Sequence, residues 1–79
     1  MTQLGTLLKA RRKELGFTQA ELALTLGMSY VAVCQFETGK GRSNSNPTVA
    51  TIMKLSKAYK LKPLVLFAAI ERDYEHAHG

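Results

Sequence analysis

The 79-residue sequence has one cysteine and no long apolar run, and both shortages narrow the class of protein. The single thiol, Cys34, cannot form an intrachain disulfide, which favours the reducing cytoplasm over a secreted, disulfide-stabilised fold. The longest apolar stretch, PLVLFAAI at residues 63–70, is far shorter than the roughly 20 residues of a membrane span. Residues 1–8 lack the basic start and apolar stretch of a signal peptide. We therefore expect one small cytoplasmic domain over residues 1–79.

Acidic residues are also scarce, and they are unevenly distributed along the chain. Residues 1–62 contain ten Lys or Arg and three acids, a net charge of +7, whereas residues 63–79 carry −2. A basic body is typical of proteins that bind a polyanion such as nucleic acid, but a basic solvated surface gives the same composition. Charge alone leaves both interpretations open.

The spacing of apolar residues in the first half of the chain predicts three short helices, over about residues 2–15, 18–26 and 29–38. Thr18 and Glu21 have the spacing of a capping box at the start of the second helix. Ser29 is placed to cap the third helix. A glycine follows each predicted C terminus and can adopt the left-handed conformation that ends a helix: Gly16, Gly27 and Gly39.

The second half of the chain begins with turn and loop formers, GKGRSNSN at residues 39–46. A fourth helix follows, with Asn46 or Thr48 as its N-cap. A fifth helix begins near Pro63 and has no clear end, so we assign residues 71–79 to a C-terminal tail. No strand pattern occurs, and we predict an all-α fold of five helices.

The break at Gly27 indicates how the second and third helices are arranged. Two short helices joined by a tight glycine-containing turn cross steeply, and Ala23 supplies the small side chain that a close crossing needs. The apolar residues expected to face inward are Leu22, Leu26, Met28, Val33 and Phe36. The pattern predicts a helix-turn-helix with one face of the third helix exposed.

From residue 4 to about residue 67 the sequence resembles the lambda-repressor-like, Cro-type (XRE) family of helix-turn-helix DNA-binding domains. The resemblance rests on ARRKELGFTQAELA before Gly27, on FETGK, and on the Pro-led segment NPTVATIMKLSKAYKL. It implies the five-helix lambda-repressor-like fold, with the N-terminal part of the third helix in the major groove. The sequence departs from the family in a longer loop at residues 41–46, in the tail, and at the outward-facing Leu24, for which no role is assigned.

Three residues of the third helix are the candidate DNA base contacts: Tyr30, Val31 and Gln35. Gln35 can bond bidentately to adenine, and Val31 can pack on a thymine methyl group. Tyr30 can reach a base edge or a phosphate. The alternative is that all three are ordinary exposed residues.

The candidate DNA phosphate contacts are Gln19, Arg12, Thr38, Lys40 and Arg42. Gln19 begins the second helix, where a polar side chain and a helix N terminus suit a phosphate. The resemblance implies that Arg12 pairs with Glu37 and also approaches DNA. The remaining lysines, at positions 54, 57, 60 and 62, are expected to form a solvated face.

Residues suited to catalysis or metal binding are few. No nucleophile–base arrangement or glycine-rich phosphate loop occurs, so we expect neither enzyme activity nor a cofactor. His76 and His78 lie in the predicted tail with too few convergent ligands for a metal site. Cys34 is expected to pack between the second and third helices rather than to act in redox chemistry.

The resemblance implies a sequence-specific transcription regulator that binds a palindromic double-stranded DNA operator as a homodimer. A Cro-like phage repressor and a restriction–modification controller both fit this description. The alternative is an antitoxin, a protein-interaction module that neutralises a toxin and also binds its own operator. The candidate further partners are RNA polymerase, for a transcription regulator, and a toxin, for an antitoxin. The nine residues after Ile70 offer little surface for a toxin.

The fifth helix carries more apolar side chains than a core of this size can enclose. We expect Leu64, Phe67 and Ala68 to pack inward on the first and fourth helices, which leaves Leu66 and Ile70 for the dimer interface, four residues apart on one face. The alternative is that Leu66 and Ile70 cover the core of the monomer.

Overall fold

The computed structural model describes residues 2–39 and 48–78, with side chains up to residue 76. In these residues it contains no strand and five α-helices: α1 (Gln3–Leu15), α2 (Gln19–Leu26), α3 (Tyr30–Thr38), α4 (Val49–Ala58) and α5 (Pro63–His78). The predicted all-α fold is confirmed over this part of the chain. The expectations for Lys40, Arg42 and Asn46 lie outside the described residues.

Hydrogen bonds between near neighbours begin and end α2 and α3 as predicted, and similar caps begin α1 and α4. Thr18 Oγ1 accepts from the Glu21 N–H at 3.1 Å, and the Glu21 carboxylate accepts from the Thr18 N–H at 2.8 Å, which completes the capping box. Side-chain oxygens also cap α1, α3 and α4, from Thr2, Ser29 and Thr48. Left-handed glycines follow α1, α2 and α3 at the three predicted positions.

One apolar core holds the helices together, with α1 packed on α3 and α5, and α2 packed on α3 and α4. The inward-facing residues predicted around the helix-turn-helix are buried, apart from Met28, which packs partly buried against the others. Contributions from α4 and its end complete the core through Ile52, Leu55 and Tyr59, all without exposed surface. Within the described residues, no helix combines the length and apolarity needed to cross a membrane.

The rotation of α5 about its axis differs from the prediction. Leu66 has no exposed surface and Ile70 packs partly buried against the core, whereas Leu64 and Phe67 are 78% and 40% exposed. The expectation that Leu66 is available to a partner is therefore wrong, and so is the inward placement of Leu64, Phe67 and Ala68, since Ala68 is also exposed. A helical pattern with apolar residues all around it does not show which stripe meets the core, and here α1 and α4 take the stripe that contains Leu66.

The residues after Ile70 also differ from the prediction, because α5 continues to His78 instead of giving way to a tail. Asp73 on this extension accepts the backbone N–H groups of Gln3, at 2.6 Å, and Leu4, at 3.1 Å. A carboxylate at this position satisfies two donors that the first turn of α1 cannot pair internally, and it complements the helix dipole. The extension of α5 is thus bonded to the start of α1.

Gly5 allows the backbone of α1 to pack directly against the backbone at the end of α3. A Cβ atom at this position would collide with the carbonyl oxygen of Glu37 and would lie 2.9 Å from that of Phe36. Because both obstacles are backbone atoms near the end of α3, a side chain at residue 5 requires one helix to move.

We expect Gly5→Ala to destabilise the domain by about 1–3 kcal/mol, because the overpacking cost exceeds the gain of about 1 kcal/mol in helix propensity. Thr6→Ala, at the neighbouring exposed position, is the control and should change stability by no more than about 0.5 kcal/mol. Urea unfolding followed by circular dichroism measures both. A Gly5→Ala variant as stable as the parent would contradict the backbone constraint.

Candidate nucleic-acid interface

The segment Gly27–Ser29 turns the chain between α2 and α3. Gly27 has a φ of 68°, and the Met28 N–H donates to the Ala23 carbonyl at 3.0 Å, which closes the end of α2. Ser29 then accepts from the Ala32 N–H at 3.1 Å and starts α3. Ala23, the small residue predicted for the crossing, is buried. The geometry is a helix-turn-helix.

The first turn of α3 presents large side chains to solvent. Tyr30 and Val31 are 56% and 60% exposed, while Val33 and Phe36 on the inner face are buried. Gln35 is half-buried. The structure thus places Tyr30 and Val31 on the surface, with Gln35 one turn further along the helix, and base contact by these three residues stays a prediction.

The last turn of α3 carries a charged group into the interior. Glu37 has no exposed side-chain surface, and its carboxylate accepts from the Arg12 Nε–H at 2.9 and 3.1 Å to its two oxygens. Its Oε1 also accepts from Gln19 Nε2 at 3.2 Å, and its Oε2 from the Tyr59 hydroxyl at 2.8 Å. We call these four residues the Glu37 network.

The expected Arg12–Glu37 pair is present, and Arg12 has a second role in the structure. Its Nη1 donates to the carbonyl of Phe17 at 2.9 Å, so that the residue also holds the turn between α1 and α2. The side chain of Arg12 is 12% exposed. Phosphate contact by Arg12 and Gln19 stays a prediction, although both side chains now have an assigned structural partner.

Sequence patterns do not predict the contacts of Gln19 and Tyr59 with Glu37. One local signal does place Glu37 inside, because it lies four residues after Val33 and beside Phe36, on the inward face of α3. Its partners are 18 and 22 residues away along the chain. Residues so far apart meet only because α2 packs against both α3 and α4.

Other candidate residues are distributed around this centre. The Thr38 hydroxyl donates to the Cys34 carbonyl at 2.9 Å, while the Cys34 thiol is unpaired and the residue half-buried. The four lysines assigned to a solvated face are exposed, as is Leu24, at 85%. Among the residues described, no cluster of His, Cys, Asp and Glu is arranged to hold a metal ion.

The environment of Tyr59 changes its acidity. Burial raises the pKa of its phenol well above the ordinary value of 10.0, and the hydrogen bond and negative charge of Glu37 raise this pKa further, while Arg12 acts in the opposite direction. Tyr59 therefore remains a neutral hydrogen-bond donor to Glu37 at any ordinary pH.

This pKa shift predicts how stability depends on pH. Because the folded pKa lies above the unfolded one, the contribution of Tyr59 is complete below about pH 10 and is lost at higher pH, where the unfolded chain releases the proton. Tyr59→Phe should be less stable than the parent by about 1.5–3 kcal/mol at pH 7, from loss of a hydrogen bond to a charged group. That deficit should shrink by about 1.4 kcal/mol per pH unit above pH 10.

Urea unfolding of both proteins between pH 7 and 11 measures the difference. Tyr30→Phe, at an exposed tyrosine, is the control, and its stability should follow that of the parent throughout this range. A deficit of Tyr59→Phe that stays constant up to pH 11 would contradict the assigned role of the hydroxyl.

Comparisons with known proteins agree with the helix-turn-helix geometry of α2 and α3. Residues 8–66 match the model of the helix-turn-helix family. The chain is 41% identical over 63 residues to repressor protein C2 of Salmonella phage P22, an alignment that covers 78% of this chain and 27% of the phage protein. No solved structure matches it significantly. With its five helices and its α2–turn–α3 unit, the chain belongs to the helix-turn-helix family, XRE type, with a lambda-repressor-like all-α fold.

Proposed function

We propose that the chain binds double-stranded DNA through α3 and acts as a sequence-specific transcription regulator of the repressor type. The observation that carries this proposal is the exposed first turn of α3 in a helix-turn-helix. The last turn of the same helix is held by the Glu37 network. The similarity to a phage protein described as a repressor favours repression. The basic charge of residues 1–62 suits a polyanionic partner.

Base recognition is assigned to Tyr30, Val31 and Gln35. A major groove accepts one α-helix, and the N-terminal residues of that helix come nearest to the base edges. Gln35 is suited to the N6/N7 edge of adenine, and Val31 to a thymine methyl group. Tyr30, at the first position of α3, reaches either a base edge or the adjacent phosphate through its hydroxyl.

Backbone binding is assigned to Gln19 and Arg12, with Thr38, Lys40 and Arg42 after them. Gln19 is the first residue of α2, where unpaired backbone N–H groups and the helix dipole favour an anion. Arg12 donates through Nε and Nη1 inside the protein, which leaves Nη2 for a phosphate. These contacts position the protein on DNA and carry no sequence information.

Dimerisation is assigned to the outer stripe of α5 in place of Leu66 and Ile70. Leu64 and Phe67 are exposed and three residues apart, so they form an apolar patch on one face of the helix. In a two-fold dimer this patch meets its own copy, and a palindromic operator with half-sites about 34 Å apart matches that symmetry.

We expect Gln35→Ala to relax the base preference at one position of the operator by about 1–3 kcal/mol, because a bidentate contact to adenine is lost. Selection from a random duplex library measures the preference of the mutant and of the parent. Gln3→Ala, at an exposed glutamine of α1, is the control and should leave the selected motif unchanged. An unchanged motif for Gln35→Ala would remove Gln35 from the base contacts.

We expect the Leu64→Asp, Phe67→Asp double mutant to be monomeric where the parent is dimeric, because buried charges oppose an apolar self-contact. Sedimentation velocity at high micromolar concentration measures assembly, and circular dichroism confirms folding. Leu24→Asp introduces a single carboxylate at an exposed leucine of α2 and should leave the dimer intact. A monomeric parent, or a folded double mutant as dimeric as the parent, would exclude this interface.

A further inference from the structure

The side chain of Gln19 is already oriented before any ligand arrives. Its Nε2 donates one hydrogen to Oε1 of Glu37 at 3.2 Å. An amide nitrogen carries two hydrogens, so one N–H remains for a second acceptor. A glutamine at a helix start otherwise loses much rotamer freedom when it binds, and a side chain held in place beforehand loses less.

Glu37 can hold Gln19 only because the carboxylate is itself held. Arg12 Nε contacts both carboxylate oxygens, and the Tyr59 hydroxyl bonds to Oε2, the oxygen that does not contact Gln19. Bonds on both sides of the carboxylate restrict its rotation. Tyr59, just after α4, is thereby connected through Glu37 to the first residue of α2.

The charges in the Glu37 network are compatible with a phosphate nearby. A lone carboxylate close to the DNA backbone would repel it, but Glu37 is fully buried and paired with the guanidinium of Arg12. The network therefore offers donors to the phosphate without a net negative charge behind them.

We infer that Glu37 and Tyr59 are positioning residues for DNA binding: they fix the Gln19 amide so that its second N–H donates to a backbone phosphate. This role rests on the proposed function and extends it, because neither residue touches DNA. Because phosphate contacts carry no sequence information, this positioning role applies to a duplex of any sequence.

The affinity test compares four proteins: the parent, Tyr59→Phe, Gln19→Ala and the double mutant. Each is titrated with a mixed-sequence duplex of about 20 base pairs at low salt, where phosphate contacts dominate affinity. Tyr59→Phe should weaken binding by about two- to tenfold in the parent background and should have no effect in the Gln19→Ala background. Circular dichroism at the titration temperature shows that each variant is folded.

The outcomes of this test separate the inference from the proposed function. Equal weakening by Tyr59→Phe in both backgrounds would mean that the hydroxyl acts through the fold alone, and no weakening in the parent would exclude a positioning role. Gln19→Ala binding as well as the parent would remove the phosphate contact itself. A parent that binds no duplex at all would contradict the proposed function instead.

Nuclear magnetic resonance of the parent gives a second readout that depends on no variant. The side-chain amide of Gln19 should be ordered, with an order parameter close to the backbone value of about 0.85, whereas that of the exposed Gln3 should fall below about 0.6. When the duplex is added, the Gln19 proton that faces Glu37 should keep its chemical shift while the other moves. A Gln19 amide as mobile as that of Gln3, or one whose two protons respond equally to DNA, would overturn the inference.

Discussion

Burial of the Glu37 carboxylate is the constraint on which the arrangement of the helices depends. The side chain has no exposed surface, and breaking its pair with Arg12 would leave an uncompensated charge in the interior, at a cost of about 3–5 kcal/mol. Donors arrive from α1 at Arg12, from α2 at Gln19 and from the end of α4 at Tyr59. Since all three must reach one carboxylate, they fix α1, α2 and α4 around the last turn of α3.

Backbone contacts place α1 against two other helices with little freedom to adjust. Gly5 brings α1 onto the carbonyl groups at the end of α3, and Asp73 of α5 bonds to its first N–H groups. A Cβ atom on Gly39, after α3, would lie 2.6 Å from the Thr2 side chain. The carbonyl groups beside Gly5 are backbone atoms and cannot change rotamer as side chains can, so this contact determines the position of α3 relative to α1.

The same packing decides which side chains remain for partners. With Val33 and Phe36 in the core, the first turn of α3 turns Tyr30 and Val31 outward, where the proposed base contacts lie. With Leu66 in the core, the opposite stripe of α5 faces solvent and supplies the proposed dimer contact. The proposed DNA-binding face and the proposed dimer face both consist of side chains that the core leaves exposed.

Local chemistry in the sequence determined where α1, α2 and α3 begin and end, because a cap or a left-handed glycine involves residues no more than a few positions apart. The N-cap of α2 at Thr18 and its left-handed end at Gly27 were therefore predicted correctly from sequence alone, and these two positions define the start and the turn of the helix-turn-helix. The side of α5 that is buried could not be predicted, because its apolar residues surround the helix and only contact with α1 and α4 selects Leu66. Two partners of Glu37, Gln19 and Tyr59, could not be predicted either, whereas its pairing with Arg12 was expected from the family resemblance. Tyr59 reaches Glu37 across 22 residues, a contact that exists only once α2 has packed against both α3 and α4.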